Sequence, residues 1–121
     1  MLLGLRTAIY PAPDLPAARD WYSRLVGHAP YFDEPFYVGF EVGGFELGLV
    51  PDATPGTDGP QPLWGVADAA AAMQRLAELG ATVLDPVQEV GGGIKVGAVR
   101  DPFGNRLGII ENPHFSAANL R

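Results

Sequence analysis

The chain has no cysteine, which excludes disulfides, a thiol nucleophile and cysteine-held metal, and makes a cytoplasmic location the expectation. Basic residues are few: eight Lys and Arg stand against fourteen Asp and Glu, a net charge of -6. They are also scattered singly. Such a surface repels phosphate backbones and anionic lipid, so neither nucleic acid nor a membrane is expected as a partner. Histidine is scarce as well. His28 directly follows the helix-ending Gly27, where an imidazole is favoured by the carbonyl end alone, and His114 lies in the tail. No Ser, His and Asp arrangement stands out, and the glycines at 91 to 93 join two strands rather than open a helix. Long apolar runs are missing too. The opening MLLGL is interrupted by Arg6 and is too short for a signal peptide or a membrane span, so it reads as the first strand.

What remains is a globular composition, 121 residues with 47% apolar and 18% charged, enough for one ordinary domain. The expected first strand runs from Leu2 to Tyr10 and stops at Pro11. Asp14 then caps a helix with Pro16 in its first turn and Gly27 as its stop, and Leu15, Ala18, Trp21, Tyr22 and Leu25 share one apolar face. Three short strands follow, 29 to 34, 36 to 42 and 45 to 50, separated by Pro35 and the pair Gly43 and Gly44. The segment 51 to 60, rich in Pro, Gly and Asp, is a linker. The pattern then restarts: a strand from about Gln61 to Val66, a helix capped by Asp68 and stopped at Gly80, and strands over 82 to 90, 94 to 100 and 106 to 110.

The two halves therefore share one order, strand, helix, strand, strand, strand, which divides the domain into a module over 1 to 50, the linker, a second module over 61 to 113 and a tail over 114 to 121. GFELGLV at 44 to 50 lies over GNRLGII at 104 to 110, and Asp14 corresponds to Asp68, so an internal duplication is the reading. Two strand-rich units must bury their faces on each other or on a partner chain, and a shared concavity is the default binding site. The turn at 101 to 104, DPFG, has the residues of a tight turn: Asp101 as local acceptor, Pro102 with φ pre-set and Gly104 closing it.

DLPAARDWYSRLVG, YVGFEVGGFELGLVP, GVADAAAAMQRLAELGATV and above all VRDPFGNRLGIIENP resemble the vicinal oxygen chelate superfamily, which includes glyoxalases, bleomycin-resistance proteins and extradiol dioxygenases. The resemblance covers nearly the whole chain. It implies an α+β fold of two βαβββ modules forming a cupped mixed β-sheet with helices outside, completed by a homodimer. In metal-dependent relatives four side chains, typically His, Gln or Glu, hold a divalent ion in the cup. Carried onto this chain, those positions are Thr7, seven residues before Asp14; Gly108, seven after Asp101; Gly48 by the repeat; and Gln61 in the fifth strand. Two glycines and a threonine do not make a conventional site, so no metal or other cofactor is expected. A two-residue slip would bring Glu46 or Ile110 forward, and Glu46 alone would still not suffice.

By strand alternation Thr7, Ile9, Glu46, Gly48, Gln61, Leu63, Arg106 and Gly108 face the cup, while Tyr10, Leu47, Trp64, Leu107 and Ile109 face the helices. Glu46 and Arg106 are repeat equivalents that can act as an opposite-charge pair on a polar ligand, or form a solvated bridge at the rim. Tyr37 offers a stacking face at the cup's mouth or a dimer contact. The expected function is metal-independent binding of a small molecule, as in the bleomycin-resistance relatives. The alternatives are a metal-dependent glyoxalase-like lyase, isomerase or dioxygenase, and a non-catalytic interaction module with vestigial cups.

Overall fold

The computed structural model describes Met1 and residues 3–119; the expected start of the first strand at Leu2 and the end of the tail lie outside the described residues. The chain divides into two compact units, Met1–Pro55 and Gly56–Arg121. The first contains β1 (Thr7–Pro11), α1 (Leu15–Val26), β2 (Phe32–Glu34), β3 (Tyr37–Val42) and β4 (Phe45–Val50). The second repeats the order with β5 (Leu63–Gly65), α2 (Ala69–Glu78), β6 (Thr82–Gly91), β7 (Ile94–Arg100) and β8 (Arg106–Glu111), then a short 3-10 turn at Ala117–Asn119. Each unit is a four-stranded mixed sheet with one helix, in the order β1-β4-β3-β2 or β5-β8-β7-β6. In each, the strand before the helix pairs parallel to the last strand and the other pairings are antiparallel. This is the α+β architecture expected from the repeat.

Capping sets the helix ends. Asp14 Oδ1 accepts from Ala17 N at 3.2 Å, and α1 stops where Gly27 takes φ 87 and donates to Ser23 O. In the second unit Asp68 Oδ1 accepts from Ala71 N at 3.1 Å, and Glu111 reaches across from β8 to accept from Ala69 N at 2.8 Å. The apolar faces follow. Leu15, Ala18, Trp21 and Tyr22 are buried, and Tyr22 meets Tyr10 of β1 edge-on at 6.1 Å. With Tyr10 turned to α1, alternation sends Thr7 and Ile9 to the other face of the sheet, and Ile9 is 56% exposed there. On β4 Leu47 and Leu49 are buried, so Glu46 and Gly48 share the face of Thr7 and Ile9. Fully burying side chains of this size stabilises by about 1.5–3 kcal/mol each.

The DPFG turn is tied from both ends. Asp101 is buried, its Oδ1 accepts from Phe103 N at 3.0 Å and Asn105 N at 2.8 Å, and its own N–H donates to Asn105 O at 2.8 Å. Gly104 takes φ 95, which a side chain would strain.

Several strand limits differ from expectation, most of all in the first, second and fifth strands. The first strand begins at Thr7; of the segment before it, Arg6 O accepts from Glu46 N, and strand geometry starts only beyond it. It also runs through Pro11, which is tolerated at the end of an edge strand. The second strand shortens to Phe32–Glu34, behind Pro30, which has no N–H to give. The fifth shortens to Leu63–Gly65, so Gln61, expected within it, lies in irregular chain between Pro60 and Pro62.

Candidate functional site

In the first unit the face turned away from α1 is built around Glu46. The register places Glu46 between Thr7 on β1 and Glu41 on β3, with Gly48 and Gly39 paired one step further along. Tyr37, at the start of β3, donates its hydroxyl to Glu46 Oε2, and Tyr31, just before β2, donates to Oε1. Both oxygens of one carboxylate are thus held by phenols. The two glycines make this possible. A Cβ on Gly48 would fall on the Tyr37 hydroxyl and lie 2.8 Å from its Cζ, and one on Gly39 would lie 3.2 Å from Tyr37 Cε1 and 3.4 Å from Tyr31 Cε1. Neither glycine has positive φ, so space rather than backbone freedom is what they supply. Burial pushes the Tyr37 phenol above its ordinary pKa of 10.0, so it stays a proton donor.

Beside this cluster opens a hollow of about 460 Å³ lined by Arg6, Thr7, Tyr31, Glu41, Phe45 and Glu46. Glu41, directly opposite Glu46 on β3, accepts from Gly44 N with its Oε1, and both acids border the hollow. Tyr31 was not singled out from sequence. It precedes a strand, and only the β2–β3 pairing, continued by Tyr31 N donating to Gly39 O at 3.0 Å, brings it over the glycine. Tyr37 lies half-buried with its ring over Gly48.

In the second unit Gly97 faces α2, since a Cβ there would meet Met73 Cε at 2.8 Å. Gly108, Leu63 and Arg106 take the other face, where a smaller hollow of about 230 Å³ is bordered by Gln61, Leu63, Gln88, Val96 and the pair Asp85 and Arg106. Arg106 Nη2 donates to Asp85 Oδ2. The sequence suggested Glu46 and Arg106 as an opposite-charge pair on a polar ligand or as a bridge at the rim; within its own unit Glu46 accepts from the two tyrosines and Arg106 donates to Asp85.

The positions where metal-dependent relatives carry ligands do not fit a divalent ion. At Gly48 the volume a ligand side chain would take is filled by the Tyr37 hydroxyl, and at Gly108 by Leu63 Cδ2 and Pro62 O, 2.6 and 2.9 Å from a built Cβ. Thr7 and Gln61 alone offer a hydroxyl and an amide, poor donors without charged companions. Among the described residues no three His, Asp or Glu side chains converge. The histidines serve locally: His28 Nδ1 lies 3.1 Å from Ala29 O, and His114 Nε2 lies 2.7 Å from Gly92 O of the β6–β7 turn. No helix among the described residues is long and apolar enough to cross a membrane.

Solved structures share this fold. A glyoxalase-related enzyme from Fulvimarina pelagi superimposes with a TM-score of 0.74 at 25% identity, over 93% of this chain and 90% of that one. Lactoylglutathione lyase from Agrobacterium tumefaciens gives 0.75 at 22%, over 96% and 100%. A member of the glyoxalase/bleomycin resistance protein/dioxygenase superfamily from Sphaerobacter thermophilus gives 0.76 at 22%, over 93% and 99%. At these identities the likeness is one of fold. A comparison with curated protein sequences finds no match. The sequence profile of the Glyoxalase/Bleomycin resistance protein/Dioxygenase superfamily matches residues 4–109, and with the duplicated unit and the DPFG turn in place the chain belongs to that superfamily.

Proposed function

We propose that the protein binds a small organic molecule without a divalent metal, and that the hollow of the first unit takes a ligand carrying a protonated amine. The observation that carries this reading is Glu46, a carboxylate fixed by Tyr31 and Tyr37 at the edge of a hollow whose other acid is Glu41. An ammonium group there relieves the repulsion of two facing carboxylates, while the rings of Tyr31 and Phe45 offer an apolar and cation-attracting wall. Arg6 leaves the hollow close to charge balance once one amine is bound. Fixed phenols pre-organise the acceptor, so little side-chain entropy is lost on binding.

A lyase, isomerase or dioxygenase reading needs metal ligands at positions filled by Tyr37 and Leu63. Two further features belong to the proposal: a second copy of the chain as partner, which would cover the exposed Ile9 and Leu63, and a cytoplasmic location. Light scattering should then give twice 12.8 kDa.

The test begins with untagged protein incubated with zinc, nickel, manganese and iron(II), dialysed and measured for metal. No near-stoichiometric retention is expected; tightly held metal would overturn the metal-free reading. Thermal shift with 2-phenylethylamine follows, and at a hundredfold excess over its dissociation constant it should stabilise by about 2.7 kcal/mol. The effect should vanish in Glu46→Gln. Equal stabilisation of the variant would overturn the assignment.

A further inference from the structure

We infer that the sheet face of the second unit takes a short-chain carboxylic acid, with Arg106 as its anion-binding group. The side chain of Arg106 is only 21% exposed and that of Asp85 is 55% exposed, so the guanidinium is largely withdrawn from water while its partner stands at the rim. A guanidinium carries five N–H donors in a planar fork, and Asp85 is the one hydrogen-bond partner of the Arg106 side chain among the described residues. Gln61 and Gln88, both exposed, border the same hollow as Arg106, and its remaining walls, Leu63, Pro86 and Val96, are apolar.

Charge decides the ligand class. A guanidinium opposes a cation, and a neutral amide would leave its unfilled donors weakly served, whereas a carboxylate matches the open edge of the fork and accepts from a glutamine N–H. Asp85 orients the guanidinium and also competes for it, acting as a positioning residue. Size narrows the class further. A hollow of about 230 Å³ suits a small acid, for which hexanoate is the probe. The inference deepens the small-molecule reading for a different unit and a ligand of opposite charge, so either site can fail without the other.

The experiment is a titration of the ¹⁵N-labelled full chain with sodium hexanoate, followed by amide chemical shifts, with hexanamide and hexylamine as matched controls. Hexanoate should move the signals of Leu63, Val96, Gly97 and Arg106 saturably, and the controls should not. Arg106→Gln should weaken binding by about tenfold or more, the loss of charge-assisted hydrogen bonds. Arg24→Gln, which changes net charge equally on an exposed turn of α1, should leave it unchanged. Asp85→Asn should tighten binding by removing the competing negative charge; a merely structural ion pair would give the opposite. Should Arg106→Gln not fold, Gln61→Leu is expected to weaken and Asp85→Asn to tighten. Hexanamide or hexylamine binding as well as hexanoate, an unaffected Arg106→Gln, or weakening in Asp85→Asn would each overturn the inference.

Discussion

Gly48→Ala tests the central packing feature of the first unit. The added methyl falls on the Tyr37 hydroxyl and lies 2.8 Å from Cζ and 3.1 Å from Cε2, closer than real Cβ contacts come. Gly48 is buried in the middle of β4, paired on both sides, so the strand cannot give way and the tyrosine ring must. Moving the ring removes its hydrogen bond to Glu46, about 1.5–3 kcal/mol for a bond to a charged group and less here because the pair is only partly buried. Alanine recovers up to about 1 kcal/mol of strand preference over glycine. The balance is a destabilisation of about 1–2 kcal/mol, which urea unfolding resolves. The sharper readout is the cycle with Tyr37→Ala. Once the ring is gone the three nearest contacts of the methyl go with it, so Gly48→Ala should be neutral or stabilising in that background, a coupling of about 1–2 kcal/mol. Additivity within about 0.5 kcal/mol would refute the claim that the glycine exists to seat the ring.

Asp101→Ala leaves the buried N–H groups of Phe103 and Asn105 without their acceptor, and at about 1–3 kcal/mol for each such group it should cost roughly 3 kcal/mol in chemical denaturation. Asp14→Ala and Asp68→Ala each remove a helix cap and should cost about 1 kcal/mol, additively because each acts within its own unit. The Tyr37 phenol has its pKa raised in the fold by burial, so the folded state holds its proton where the unfolded chain releases it. Stability from this group is therefore full below pH 10 and is lost as pH rises through the folded pKa. Absorbance at 295 nm should show late tyrosine ionisation, and Tyr37→Phe should take one tyrosine out of that late phase and flatten the alkaline loss.

Much of the fold was legible because its signals are local. Asp14, Gly27 and Asp68 act within one helical turn, and the DPFG turn is written in four consecutive residues, so element order and duplication followed from the chain alone. Alternation around Tyr10 and Leu47 gave the sheet faces for the same reason. Strand limits were less legible where proline intervened: Pro62 leaves Gln61 outside β5, although the apolar pattern around it suggested a strand. The site was read in outline only. Glu46 and Arg106 are repeat equivalents and looked like a pair, yet short-range geometry gives each a partner no sequence pattern marks, Asp85 after a register shift in β6 and Tyr31 ahead of β2. Such contacts depend on which side chain crosses which neighbouring strand, and period-two alternation carries no information about that.

The glycines at 48 and 108 show how one scaffold yields two unlike sites. Each is a position that the family resemblance assigns to a metal ligand, and each leaves a vacancy one side chain deep on the sheet. The vacancy is filled by whichever neighbour can reach it. At Gly48 that neighbour is Tyr37 on the antiparallel strand β3, which brings a hydroxyl and with it a fixed Glu46. At Gly108 it is Leu63 on the parallel strand β5, whose register places it directly opposite, and it brings only hydrocarbon. The first filling makes a polar, acid-centred surface and the second an apolar wall beside a guanidinium. A glycine at each position therefore does more than withhold a donor. It hands the floor of each unit to an adjacent strand, and the side chain that strand supplies sets the chemistry of the surface there.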